Sequence, residues 1–495
     1  MASQPTPLRP EAEPTSILDT PEAGPRIIRG GGFRLAAYVG GSGLAVISAA
    51  VLTRYLGPED FGRYSVVFAL LTIVTGIADA GTATLGVREH SVRSAALGWT
   101  FLRHLLGIRL VIAAVGVAGA VAFAAIAGYD AAMVVGTAAG GAGVVVVAVY
   151  GTMLIPLQSS LRLGWVALLD LLRQALTVAA LVALALAGAG IVPLLAVPLP
   201  VGALLIVATA LLIERRGSWR PTVDRVEWGR IARLTLPFAA ASISGVLYAQ
   251  TSVVALSIVG SERDTGLFAA AFRVYFVLAT IPGLLVVSAF PLLARAFRDD
   301  RDRLAYAVGR LWEACLVLGA GVALVTAVAA PIALDLIAGS GYSDAVEELR
   351  LLSIALMATF LIAVGGFTLL ALERYTALVC ANVAGLVVSA AVALSLGSAH
   401  GETAGAIAVV AADLLLTTLY VVAVSLGAGG IRLRLSVLAR VAVVTAIAAA
   451  PLLVGGLPTG VQTVLVAVVF AVAAIVLRAV PRELVDAVRS RAARS

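Results

Sequence analysis

Apolar residues fill this chain in long, nearly unbroken runs, and polar residues collect in short segments between them. The runs lack the strict alternation of a lipid-facing barrel strand. Each reaches roughly the 20 residues a helix needs to cross a bilayer. Lipid offers backbone groups no partners, so only helices or closed barrels span it, and this pattern selects helices. Spans are predicted near 34–55, 64–86, 105–128, 131–155, 164–187, 191–213, 234–259, 267–294, 311–338, 349–372, 376–397, 402–426, 437–456 and 460–480. The expected fold is an all-α polytopic membrane protein with about fourteen transmembrane helices. Pro282 and Pro331 fall inside expected spans, where a missing N–H kinks or breaks a helix.

Composition agrees: 61% of the 495 residues are apolar and 13% charged, and the mean hydropathy is +1.04. A soluble chain of this length needs far more polar surface. The 49 glycines suit close helix packing in lipid. Residues 1–25, rich in Pro, Glu and Thr, read as a disordered tail. They lack the apolar core of a signal peptide.

Charge tests the topology. All 35 basic residues are arginine. With the N-terminus in the cytoplasm, 30 of them fall in cytoplasmic segments, against Arg54, Arg63, Arg263 and Arg350 outside and Arg273 within a span. This is the positive-inside asymmetry, and it predicts an even count with both termini cytoplasmic. The basic loops 214–230 and 295–303 then face anionic lipid.

The chain also repeats. LGPEDFGRYSVVF (56–68) and VGSERDTGLFAAAF (259–272) share a Gly, an acidic turn, a second Gly (Gly62, Gly266), an aromatic (Tyr64, Phe268) and a Phe (Phe68, Phe272). A weaker echo sets Arg162 on Arg374 and Asp170 on Asn382. Two six-helix lobes are expected, related as parallel repeats by an axis along the membrane normal. The expected partition is a tail (1–25), a first lobe (26–213), a cytoplasmic linker (214–233), a second lobe (234–426) and two extra helices with a basic cytoplasmic tail (427–495). Two lobes around a cleft suit alternating access.

Most enzyme chemistry is absent from the sequence. Without lysine there is no P-loop and no Schiff base. His90, His104 and His400 lack metal-ligand spacing, so no metal or cofactor is expected. No outer loop is long enough to house an active site. Asp300-Arg-Asp302 reads as a solvated charged loop. Cys315 and Cys380 read as packing residues, and Gly136 and Gly140 as a helix-packing pair. Asp170 with Arg173, and Arg310 with Glu313, read as structural pairs at i, i+3.

Charge inside the membrane is the main functional signal, because it costs roughly 2.5–3.5 kcal/mol at mid-span on insertion scales. Arg273 sits about two turns into the eighth expected span, and Arg54 ends the first. Each either binds an anionic group in the cleft or snorkels to the interface. Asp79 and Asp413 are ion-coupling candidates, or else buried acids paired with backbone or arginine.

VLTRYLGPEDFGRYSVVFALL followed by ADAGTATLGVRE resembles the opening of bacterial polysaccharide-biosynthesis flippases, members of the multidrug/oligosaccharidyl-lipid/polysaccharide exporter superfamily. GLFAAAFRVYFVLATIPGLLVVSAFPLLARAF, AGSGYSDAVEELRLLSIAL and ANVAGLVVSAAVALSLGSAHGETAGAIAVV fit too, so the resemblance covers about residues 34–425. It implies a fold like that of the multidrug and toxin extruders (MATE). It implies flipping of an undecaprenyl-diphosphate-linked oligosaccharide or repeat unit across the cytoplasmic membrane by alternating access, for cell-surface polysaccharide assembly. Relatives that flip lipid II have arginines matching Arg54 and Arg273, implicated in binding the diphosphate. They also carry basic residues in span two, where this chain has VVFALLTIVTGIADAG, so a different lipid-linked glycan is favoured here. Arginine suits a diphosphate through bidentate charge-assisted bonds. Two other readings stand: a MATE-type drug or cation antiporter, whose cavity favours carboxylates, and a non-transporting scaffold for glycan assembly. Expected partners are the lipid-linked glycan, membrane lipids and glycan polymerases or glycosyltransferases, with no nucleic acid.

Overall fold

The computed structural model describes residues 23–93, 95–213, 219–299, 301–427, 435–453, 457–477 and 479. Residues 1–22 of the expected tail, 214–218 of the linker and Asp300 lie outside them, as does the side chain of Asp302. The first lobe comprises α1 (Ala23–Asp79), α2 (Thr82–Val92), α3 (Ala95–Ile126), α4 (Ala131–Met153), α5 (Ile155–Ser159), α6 (Leu163–Leu186), α7 (Ile191–Ala196) and α8 (Pro198–Leu212). The second comprises α9 (Arg225–Val259), α10 (Glu262–Asp299), α11 (Arg301–Ile337), α12 (Val346–Ala371), α13 (Tyr375–His400) and α14 (Glu402–Gly427). Two further helices, α15 (Leu435–Ala448) and α16 (Thr459–Val476), follow. No strand occurs among the described residues.

Among the described residues, twelve helical stretches are long and apolar enough to cross a bilayer. The first, Gly43–Val92, holds two of the spans expected from sequence. Gly57 divides it with φ +71° and ψ 174°, a conformation open essentially to glycine. Pro58 then starts the new helix where a missing N–H costs nothing, and Glu59 and Asp60 favour its N-terminal dipole. A shorter apolar helix, Val437–Leu452, lies where the thirteenth span is expected. About fourteen spans is thus a fair approximation. α10 continues through Pro282 and α11 through Pro331.

The repeat is visible in backbone detail. Leu161 and Glu373 occupy the same unusual conformation, at φ +56° and +54°. Arg162 donates to the Leu212 carbonyl at 3.2 Å, and its counterpart Arg374 donates to the Ala423 carbonyl. Gly136 and Gly140 seat α4 on Leu195 of α7. α16 packs on α11, with Phe470 against Gly321. Cys315 is buried as expected, whereas Cys380 is exposed. Large apolar side chains such as Val115, Leu204 and Val468 point outward, as a lipid-facing surface requires.

The lobes meet mainly through α1, against α9 and α10. At one end the two repeated turns interlock: a Cβ on Gly62 would strike the Glu262 carbonyl, and one on Gly266 the Pro58 carbonyl. Around this contact Arg63 pairs with Glu262 at 2.7 Å and Asp130 at 3.7 Å. Thr53 donates to the Ile337 carbonyl at 3.0 Å, and Tyr342 to the Thr53 carbonyl at 3.1 Å. This end is closed between the lobes. At the other end the connection folds back on the first lobe. Arg103 donates to the Arg220 carbonyl at 2.9 Å. Arg93 and Arg230 pair with Glu89 and Glu227 and lie over the Phe101 ring.

Candidate functional site

Two cavities of about 290 Å³ each lie inside the membrane-spanning body. They share a partition that includes Tyr64, Phe68, Thr72 and Arg273. One extends into the first lobe, among α1, α4, α6 and α8, and reaches Tyr150, Arg173 and Gln174. The other lies between α1 and α10 and is mostly apolar, with Leu52, Phe61, Phe272 and Phe276 on its walls.

Arg273 is the charge at their junction. Its guanidinium carbon lies 5.0 Å from the centre of the Phe68 ring, a cation–π contact. Among the described residues no hydrogen bond or ion pair reaches it. The Phe68 ring stacks in turn on Tyr64, at 6.1 Å between centroids. An uncompensated arginine beside two cavities within a bilayer stands out, since charge there ordinarily has a partner.

The remaining candidates sit elsewhere. Arg54 is exposed and donates to the carbonyls of Asp335 and Leu336, at 3.1 and 2.7 Å. It thus caps the C-terminus of α11, whose terminal carbonyls attract a cation. It lines neither cavity, so the structure does not bring it together with Arg273. Asp79 forms an ion pair with Arg109, whose other nitrogen donates to Thr152 at 3.2 Å. Asp413 has no cationic partner among the described residues. It is 2% exposed and accepts from the hydroxyls of Tyr248, Tyr275 (2.8 Å) and Thr359 (3.0 Å). A cavity of about 160 Å³ adjoins it, lined also by Ser252 and Ser389. The expected pairs Asp170–Arg173 and Arg310–Glu313 form at 3.0 and 2.9 Å. Among the described residues, no three His, Cys, Asp or Glu side chains gather to hold a metal ion.

A sequence profile of the family described as polysaccharide biosynthesis protein matches residues 51–347, more than half of the chain. The chain belongs to the polysaccharide biosynthesis protein family. No curated protein matches it in sequence. Among solved structures, the lipid II flippase MurJ in an inward closed conformation superposes with a TM-score of 0.75 at 11% identity, over 90% of this chain and 98% of that one. An inward-facing multidrug resistance MATE family transporter of the MOP superfamily follows at 0.60 and 15% identity, covering 78% and 95%. The eukaryotic MATE transporter AtDTX14 gives 0.56 and 16%, covering 81% and 96%. This family member therefore has the fold of flippases and MATE transporters.

Arg273 and Asp413 stand out in the sequence because each interrupts an apolar run. The cavity residues Tyr150 and Gln174 do not, and Arg173 reads there only as structural. Tyr and Gln in an apolar helix are an ordinary sight. Only the fold shows that α4 and α6 turn them toward one space.

Proposed function

We propose that this protein is a flippase. It moves an undecaprenyl-diphosphate-linked oligosaccharide or repeat unit across the cytoplasmic membrane by alternating access, supplying cell-surface polysaccharide assembly. The observation that carries this reading is the unpaired Arg273 at the junction of the two cavities. Its planar fork matches a phosphate, and the diphosphate is the one strongly anionic part of such a lipid. A cationic drug is disfavoured beside an uncompensated arginine. The scaffold reading gives no reason for buried cavities.

In this proposal the closed Gly62/Gly266 end faces outward, and both termini lie in the cytoplasm. The lobes 26–213 and 234–426 rock about the 214–233 linker, and α15 and α16, within the 427–495 segment, ride on the second through α11. Arg54 stays on the α11 carbonyls while the outer end is closed. It reaches the diphosphate once that end opens. Asp413, with hydroxyls but no arginine around it, is the site where a proton or cation couples to transport. Asp79 is already neutralised by Arg109 and stays structural. Glycosyltransferases and a polymerase supply and consume the cargo.

The test is exposure of the lipid-linked headgroup in cells or vesicles at matched protein levels. Arg273→Ala loses a charge-assisted contact of roughly 1.5–3 kcal/mol, about ten- to a hundred-fold in affinity. Arg273→Lys is also impaired, because a point charge cannot replace the fork. Wild-type flipping by a well-inserted Arg273→Ala protein refutes the assignment.

A further inference from the structure

The first-lobe cavity has a chemistry that a diphosphate does not explain. We propose that it is a sugar subsite, holding a neutral, hydroxyl-rich ring next to the diphosphate at Arg273. The inference rests on the diphosphate reading and adds which part of the cargo enters which cavity.

The deciding group is Tyr150. The residue is 4% exposed and lines the cavity, and its hydroxyl has no hydrogen-bond partner among the described residues. A buried hydroxyl without a partner is uncommon and asks for one. Elsewhere on the cavity wall the polar groups are mixed. Thr72 and Thr75 give their protons to the Phe68 and Leu71 carbonyls, at 2.8 Å each, which leaves their oxygens as acceptors. Gln174 offers both an acceptor and donors. Arg173 also lines the cavity, but its charge is answered by Asp170, with bonds of 3.0 and 3.2 Å. It therefore contributes N–H donors more than net charge.

Sugar hydroxyls both donate and accept, so interleaved donors and acceptors suit them. An anionic ring would want a second uncompensated cation, and Arg273 is at the partition, not in the depth of this cavity. The neighbouring apolar cavity suits the first prenyl units. Arg273 stands between the two, as the diphosphate stands between sugar and prenyl chain.

The experiment measures binding to the full-length protein in nanodiscs. The probes are undecaprenyl diphosphate and undecaprenyl diphosphate carrying one N-acetylhexosamine. Tyr150→Phe and Gln174→Ala should each weaken the sugar-bearing lipid roughly three- to tenfold, with unchanged affinity for the bare diphosphate and an unchanged thermal transition. Arg273→Ala should weaken both lipids. The subsite is overturned if Tyr150→Phe and Gln174→Ala leave both affinities unchanged, or lower both equally. Full affinity of Arg273→Ala for both lipids overturns the diphosphate reading instead, separately from the sugar subsite.

Discussion

A single methyl group at Gly266 should prevent the closed end of the molecule from closing. The Cβ of an alanine there would overlap the Pro58 carbonyl, and at Gly62 the Glu262 carbonyl. Neither obstacle is a side chain that can swing aside; both are backbone of the opposing lobe. Overpacking of this kind costs about 1–3 kcal/mol. The contact exists only while the two turns are interlocked, so the cost falls on the closed state alone. A differential of that size shifts the closed-to-open ratio about five- to a hundred-fold. The two substitutions address one contact, so their effects should not add. The assay places a reporter cysteine at Ser65, on the wall of the α1–α10 cavity, after Cys315 and Cys380 are replaced by alanine. Labelling by a membrane-impermeant maleimide from outside should accelerate in Gly62→Ala and Gly266→Ala. Gly164→Ala, which meets nothing within 4 Å, is the control and should label like the parent. Unchanged labelling in both gate variants would refute the interlocked turns as a gate.

Asp413→Asn should insert and fold normally yet lose transport that depends on an ion gradient; full gradient-dependent transport would remove Asp413 from the coupling. Reporter fusions before residue 26, within 214–233 and after residue 480 should all report cytoplasm, and an outside signal at 214–233 would overturn the proposed orientation.

What could be read from the sequence was local or periodic. The helices were legible because apolar runs of membrane length leave the backbone no other choice. The break at Gly57 was legible only as the polar gap between the apolar runs 34–55 and 64–86. Arg273 stood out because charge in an apolar run demands an explanation. Destinations across the fold were not legible. The carbonyls that hold Arg54 belong to Asp335 and Leu336, on a helix of the other lobe. The cage around Asp413 draws Tyr248, Tyr275 and Thr359 from α9, α10 and α12.

α10 joins the two charged sites of the proposed mechanism. It carries Phe272 and Arg273 at the central cavities, and Tyr275 two residues later in the Asp413 cage. The hydrogen bonds around Tyr275 are in competition. Its hydroxyl lies 2.8 Å from Asp413 Oδ2 and 2.9 Å from Thr359 Oγ1. The Thr359 hydroxyl in turn lies 3.0 Å from both the Ala355 carbonyl and Asp413 Oδ2. One proton per hydroxyl cannot serve every one of these acceptors at once. With Asp413 ionised, Tyr275 directs its proton to the carboxylate. Once a proton or cation neutralises Asp413, that demand falls and the Tyr275 proton is free for Thr359. The ionisation of Asp413 thus biases a side chain on the helix that positions Arg273. If that bias changes the grip of Arg273 on an anion, linkage requires the anion to change the affinity of Asp413 for its proton or cation by the same factor. Coupling between cargo and ion then needs no contact between them, only a helix that both sites hold.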